Sequence, residues 1–163
     1  MKNNKNINFF QSVKHAFCGI IYCIENERNF RFDICASVFV IILSRFYIFS
    51  KSEIILLCLT ISMVIGFEIL NTAVEKTVDL ISPQYNKLAK IAKDCSAGAV
   101  LVCAIGAVFV GFKLFWNTEV FIKIYTYFSH NLLSLLDLFI FIIISYLFIY
   151  KCFKGENKNN IKE

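Results

Sequence analysis

Residues 95–112 carry no charged side chain. At 18 positions the stretch approaches the ~20 residues an α-helix needs to cross a hydrocarbon core. It has company: apolar runs also cover residues 32–49, about 53–81 and 132–150. The chain is 58% hydrophobic, against about 45–50% in soluble domains. These runs predict an all-α integral membrane protein in four parts. Residues 1–29 form an amphipathic N-terminal segment, 30–116 a transmembrane core, 117–152 an additional C-terminal membrane helix and 153–163 a polar tail.

The N-terminal segment repeats Phe9, Phe10, Val13, Phe17, Ile20, Ile21 and Ile24 at three-to-four spacing, with Lys5, Lys14, Glu25 and Glu27 between them. That pattern predicts a helix lying on the membrane surface. Residues 1–11 are rich in Asn and Lys, and no cleavable signal peptide is expected. The 82–84 segment "SPQ" breaks the second span, with proline suited to a helix start and serine to a cap. Within the third span, Ala99, Cys103, Ala107 and Gly111 recur every four residues, a small-residue face that lets helices approach closely. Trp116 falls where an interfacial anchor belongs, and Arg45 near the far end of the first span. Asp137 is the one charge of the fourth run and reads as a helix-start residue at the outer interface.

A net charge of +5 invites a nucleic-acid reading, but the cations flank apolar runs and form no continuous basic face. They are distributed as membrane topology requires. Four spans would place Arg45, Lys51, Lys113 and Lys123 on one side and the remaining 13 of 17 Lys and Arg residues on the other. The rich side, with both termini and the 76–93 loop, is expected in the cytoplasm. The seven cysteines form no C-x-x-C pair, and His15 and His130 are far apart in sequence, so neither a disulfide framework nor a zinc site is indicated.

Polar groups interrupt the second run in one pattern. Glu68, Asn71, Thr72, Glu75 and Asp79 share a helix face. Carboxylates at a bilayer boundary are tolerated mainly where they face a bundle interior, a cavity or a partner. The expected counter-charges are Lys90 and Lys93, beside Asp94, and the "ENERNFRF" segment with Glu27, Arg28 and Arg31. All three clusters meet at the same interface in the four-span topology. Carboxylates, amides and basic groups together suit Mg²⁺ with a polyphosphate, since magnesium takes one or two carboxylates plus phosphate oxygens. Lys93 and Arg31 would balance the remaining phosphate charge. A small channel or transporter subunit could use the same stripe, but would place its charges nearer the bilayer midplane, on broken helices.

"EILNTAVEKTVDLI" followed by "AKIAKDCSAGAVL", with "ERNFRF" before the first span, resembles the signature of the prokaryotic diacylglycerol kinase family over residues 10–115. Neither a P-loop nor soluble-kinase motifs are present. The resemblance implies an ATP-dependent membrane lipid kinase with a surface helix and three spans, working as a homotrimer with sites between subunits. It implies Glu68 as general base, and Glu27 and Glu75 as nucleotide-side carboxylates that hold Mg²⁺. Asn71, Lys93 and Asp94 would lie around the nucleotide and the reacting phosphate, and Asp33 is a candidate on the nucleotide side. The acceptor would be a membrane lipid alcohol, undecaprenol favoured and diacylglycerol next. The expected setting is a bacterial inner membrane, with the site at the cytoplasmic face.

Overall fold

The computed structural model describes residues 9–150. The expected polar tail and Cys152 lie outside the described residues. Among the described residues six helices follow one another: α1 (Phe9–Asn26), α2 (Arg28–Ser44), α3 (Lys51–Ile81), α4 (Lys87–Phe115), α5 (Thr118–His130) and α6 (Leu132–Tyr150). No strand occurs among the described residues. The protein is an all-α membrane protein. Three of its described helices, α3, α4 and α6, are long and apolar enough to cross a bilayer.

Local chemistry sets the boundaries. Ser50 and Glu53 form a reciprocal capping box that starts α3: the Ser50 hydroxyl accepts from the Glu53 amide at 3.3 Å, and the Glu53 carboxylate accepts from the Ser50 amide at 2.8 Å. Asn86 Oδ1 caps α4 by accepting from the amides of Leu88 (2.8 Å) and Ala89 (3.4 Å). Asn117 does the same for α5.

These caps move two expected boundaries. The helix break falls at Pro83, but Ser82 closes α3 and Asn86 opens α4, so "SPQ" supplies the stop and not the start. The span expected over 32–49 starts at Arg28 and ends at Ser44. At 17 residues it is about 25 Å long and carries Arg28, Arg31 and Asp33 toward its start. The stretch that follows 116 is two helices, because Asn131 interrupts it between α5 and α6.

The chain runs back and forth between two unlike ends. One end is aromatic. Tyr47 packs edge-on against Phe115 with centroids 5.0 Å apart and donates its hydroxyl to the Phe115 carbonyl at 2.8 Å. Phe46 meets Tyr127 and Phe128 of α5, and Trp116 meets Phe121. The amphipathic rings among them, Tyr47, Tyr127 and Trp116, suit a membrane interface. The other end is polar and holds the α1–α2 joint, the end of α3 and the start of α4.

α3 and α4 form the central hairpin. Ala99, Cys103, Ala107 and Gly111 lie on the partly covered face of α4, as their spacing predicts. Few side chains are buried within one chain, and rows of exposed Leu, Ile and Phe remain on α3, α4 and α6. A lipid solvent explains this, because tails are as apolar as the side chains they touch.

Candidate functional site

Glu27 is the one non-helical residue between α1 and α2. It occupies the N-cap position of α2 in an extended conformation, but its side chain makes no capping bond. The carboxylate is therefore free to reach outward, and it meets Lys76 Nζ of α3 at 3.6 Å. Lys76 also stands 5.9 Å from the centre of the Tyr22 ring. The joint between the surface helix and the bundle is thus held against the polar face of α3.

On that face, Glu68 and Thr72 are buried, each 6% exposed. Cys23 of α1 is buried near them, within reach of the Thr72 side chain. Asn71 is the hub. Its amide nitrogen donates to Glu75 Oε1 at 3.2 Å, its Oδ1 accepts from Ser96 Oγ of α4 at 2.7 Å, and its side chain lies near enough to the Glu68 carboxylate to act on its charge. The Ser96 hydroxyl also lies 2.9 Å from the Lys93 carbonyl, and its single proton serves one acceptor at a time. Glu68 sits within electrostatic range of Asp33, Glu27 and Glu75. Like charges gathered in a partly desolvated place require compensation. Of these carboxylates, Glu27 has a cation partner in Lys76, while Lys93 nearby forms an ion pair with Asp79.

Burial pushes the Cys23 thiol above its ordinary pKa. The nearby Glu27 and Glu68 charges act in the same direction, while the Thr72 side chain and Lys76 oppose it. The thiol stays neutral and serves as packing between α1 and α3.

Of the residues singled out in the sequence, Asn71 and Glu75 are hydrogen-bonded and Glu68 lies beside Asn71 on the same face. Glu27 joins them from the α1–α2 joint, and Lys93 flanks them from α4. Arg31 is placed differently. It is 6% exposed, and its guanidinium donates to the carbonyls of Ile24 (2.9 Å), Glu25 (3.1 Å) and Ile149 (3.2 Å). These are last-turn carbonyls of α1 and α6, groups a helix cannot satisfy by itself. Asp94 is exposed and makes no hydrogen bond or ion pair among the described residues. It lies about 100° around α4 from Lys93. Thr72 belongs to the polar face read from the sequence, whereas Ser96 and Cys23 carry no such signal. Ser96 could have been found as the hydroxyl one helical turn beyond Lys93.

No three His, Cys, Asp or Glu side chains among the described residues converge as a ready-made metal site. What the chain offers is hard oxygen donors with adjacent cations at one end of a helical hairpin. That defines a class: a small membrane-embedded helical protein whose polar centre spans the surface helix and two membrane helices. Residues 14–115 match the family model for prokaryotic diacylglycerol kinase, and the chain belongs to that family.

The chain is 43% identical over 105 residues to the diacylglycerol kinase of Synechocystis, an alignment covering 64% of this chain and 60% of that protein. It is 41% identical over 107 residues to the undecaprenol kinase of Bacillus subtilis, covering 66% and 87%. The diacylglycerol kinase of Escherichia coli K12 is 33% identical over 117 residues, covering 70% and 96%. α6 lies beyond the residues matched by the family model.

Proposed function

We propose that this protein is an ATP-dependent lipid kinase that transfers the γ-phosphoryl group to the primary hydroxyl of a membrane lipid alcohol, with undecaprenol the favoured acceptor and diacylglycerol the second. The observation that carries this reading is the Glu68–Asn71–Glu75 unit, tied to α4 through Ser96 and faced by Glu27 from the surface-helix joint.

Phosphoryl transfer asks a protein mostly for positioning and charge neutralisation. The acceptor oxygen attacks the γ-phosphorus, the bond to ADP breaks, and the hydroxyl proton passes to Glu68. Asn71 holds Glu75 and lies beside Glu68 on the same helix face. Lys93 turns from Asp79 to the nucleotide phosphates. Glu27 and Glu75 would hold Mg²⁺, which would supply charge neutralisation on the phosphates. One or two carboxylates suffice for this ion, which takes its other oxygens from phosphate and water. The donor set here fits that requirement.

The acceptor's chain has a route. A cleft of about 150 Å³ runs between α2, α3 and α4, lined by Asp33 at one end and then by Ala36, Val40, Val64, Ala107 and Gly111. A lipid tail there leaves its hydroxyl at the polar end, while ATP stays in water. The excess of Lys and Arg at that end supports a cytoplasmic orientation in a bacterial inner membrane. Exposed Asp94 fits a homotrimer in which it completes a neighbour's site.

The test supplies labelled ATP and Mg²⁺ to the full chain in mixed micelles, with undecaprenol or diacylglycerol in separate reactions. Label should enter the lipid, with the larger kcat/KM for undecaprenol. No labelled lipid from either acceptor overturns the kinase reading, and a larger value for diacylglycerol overturns the choice of acceptor.

A further inference from the structure

A second cleft, of about 620 Å³, opens at the aromatic end between α2, α5 and α6. It lies far along α2 from the Glu68 site, and its α5 and α6 walls fall outside the residues that match the family. The lining is mostly aromatic and aliphatic, with Phe39, Phe46, Tyr127 and Phe141 among its residues. Two charges line it as well, Arg45 and Asp137.

Helix register puts those two charges at one height. Arg31 bonds to Ile149 and Phe39 stacks on Phe141 with centroids 6.4 Å apart. Arg31 to Phe39 is the same number of residues as Phe141 to Ile149, so α2 and α6 run antiparallel in a single register. Carried on to Arg45, that register reaches residue 135, two positions from Asp137, an axial offset of about 3 Å. Neither side chain has a hydrogen bond or ion-pair partner among the described residues. The two unpaired charges thus line one cleft at about the same height, above an apolar slot.

We propose that this cleft binds an amine-bearing zwitterionic phospholipid. The phosphate meets Arg45, the ammonium meets Asp137, and the acyl chain lies along Phe39 and Phe141. A neutral isoprenoid would leave both charges unused, and an anionic lipid would meet Asp137 with like charge. Bound in this way, the lipid seats the additional helix α6 against α2.

The full chain is purified from vesicles of equal phosphatidylethanolamine and phosphatidylglycerol, and the retained lipid is identified by native mass spectrometry without ATP. Lipid retention is thus read independently of any kinase activity. Phosphatidylethanolamine should be retained in preference by roughly fivefold, the scale of one interfacial ion pair. Asp137→Asn should shift retention toward phosphatidylglycerol, and Arg45→Gln should lower retention of both. Equal retention by the wild-type chain, an unchanged preference in Asp137→Asn, undiminished retention in Arg45→Gln, or disulfide trapping of Phe141→Cys between two copies overturns the proposal.

Discussion

The guanidinium of Arg31 donates to the carbonyl of Ile149, 118 positions away in sequence, at 3.2 Å. A residue beside the α1–α2 joint thereby holds the end of the last helix. The same side chain caps α1 through Ile24 and Glu25, so one buried cation fastens the surface helix and α6 next to Glu27.

Arg31→Met should lower stability by about 2 kcal/mol, since three part-buried helix-end carbonyls lose a charged donor. Arg31→Lys should recover little, because an ammonium cannot reproduce the planar fork. Thermal unfolding in detergent measures both. A melting temperature unchanged in Arg31→Met would show that the caps contribute nothing.

Glu68→Gln keeps the size and the polar character beside Asn71 while removing the base. Phosphoryl transfer should fall by about 10²–10⁴-fold, the usual contribution of a positioned proton acceptor. The assembly state, read by size-exclusion chromatography, should not change. Normal turnover in this variant would remove Glu68 from the base role.

Ser96→Ala releases Asn71 from α4 without touching a carboxylate. The loss of one hydrogen bond predicts a kcat about three- to tenfold lower. Ser96→Thr, which keeps the hydroxyl, should restore most of it. Equal rates for serine, alanine and threonine would mean that Asn71 is held by its own helix alone.

Cys23 and Cys18 share α1 but differ in burial. Only thiolate reacts with a maleimide, and burial holds the Cys23 pKa above the ordinary thiol value. Cys23 should therefore label at least about tenfold more slowly than Cys18 at neutral pH. Raising the pH should speed its labelling, because more thiolate forms as its elevated pKa is approached. Equal labelling would show that α1 does not lie on α3.

Much of this architecture is legible in one dimension. An uncharged stretch of 18 residues has few fates, and carboxylates at helical spacing must share a face. Glu68, Asn71 and Glu75 could be grouped for that reason, because their geometry is internal to one helix. Helix ends were harder to place. Serine, proline and asparagine all occur between 82 and 86, and which of them caps depends on where the chain turns.

Arg31 marks the boundary of such reading. Its charge and its place beside Glu27 suggest a phosphate ligand, and nothing nearby in sequence announces a partner 118 residues away. Periodicity and charge spacing are local properties, so they carry through to the helices and their polar stripes. Which buried donor meets which carbonyl depends on how separate helices pack, and that packing is what gave Arg31 to the helix ends and brought Ser96 to Asn71.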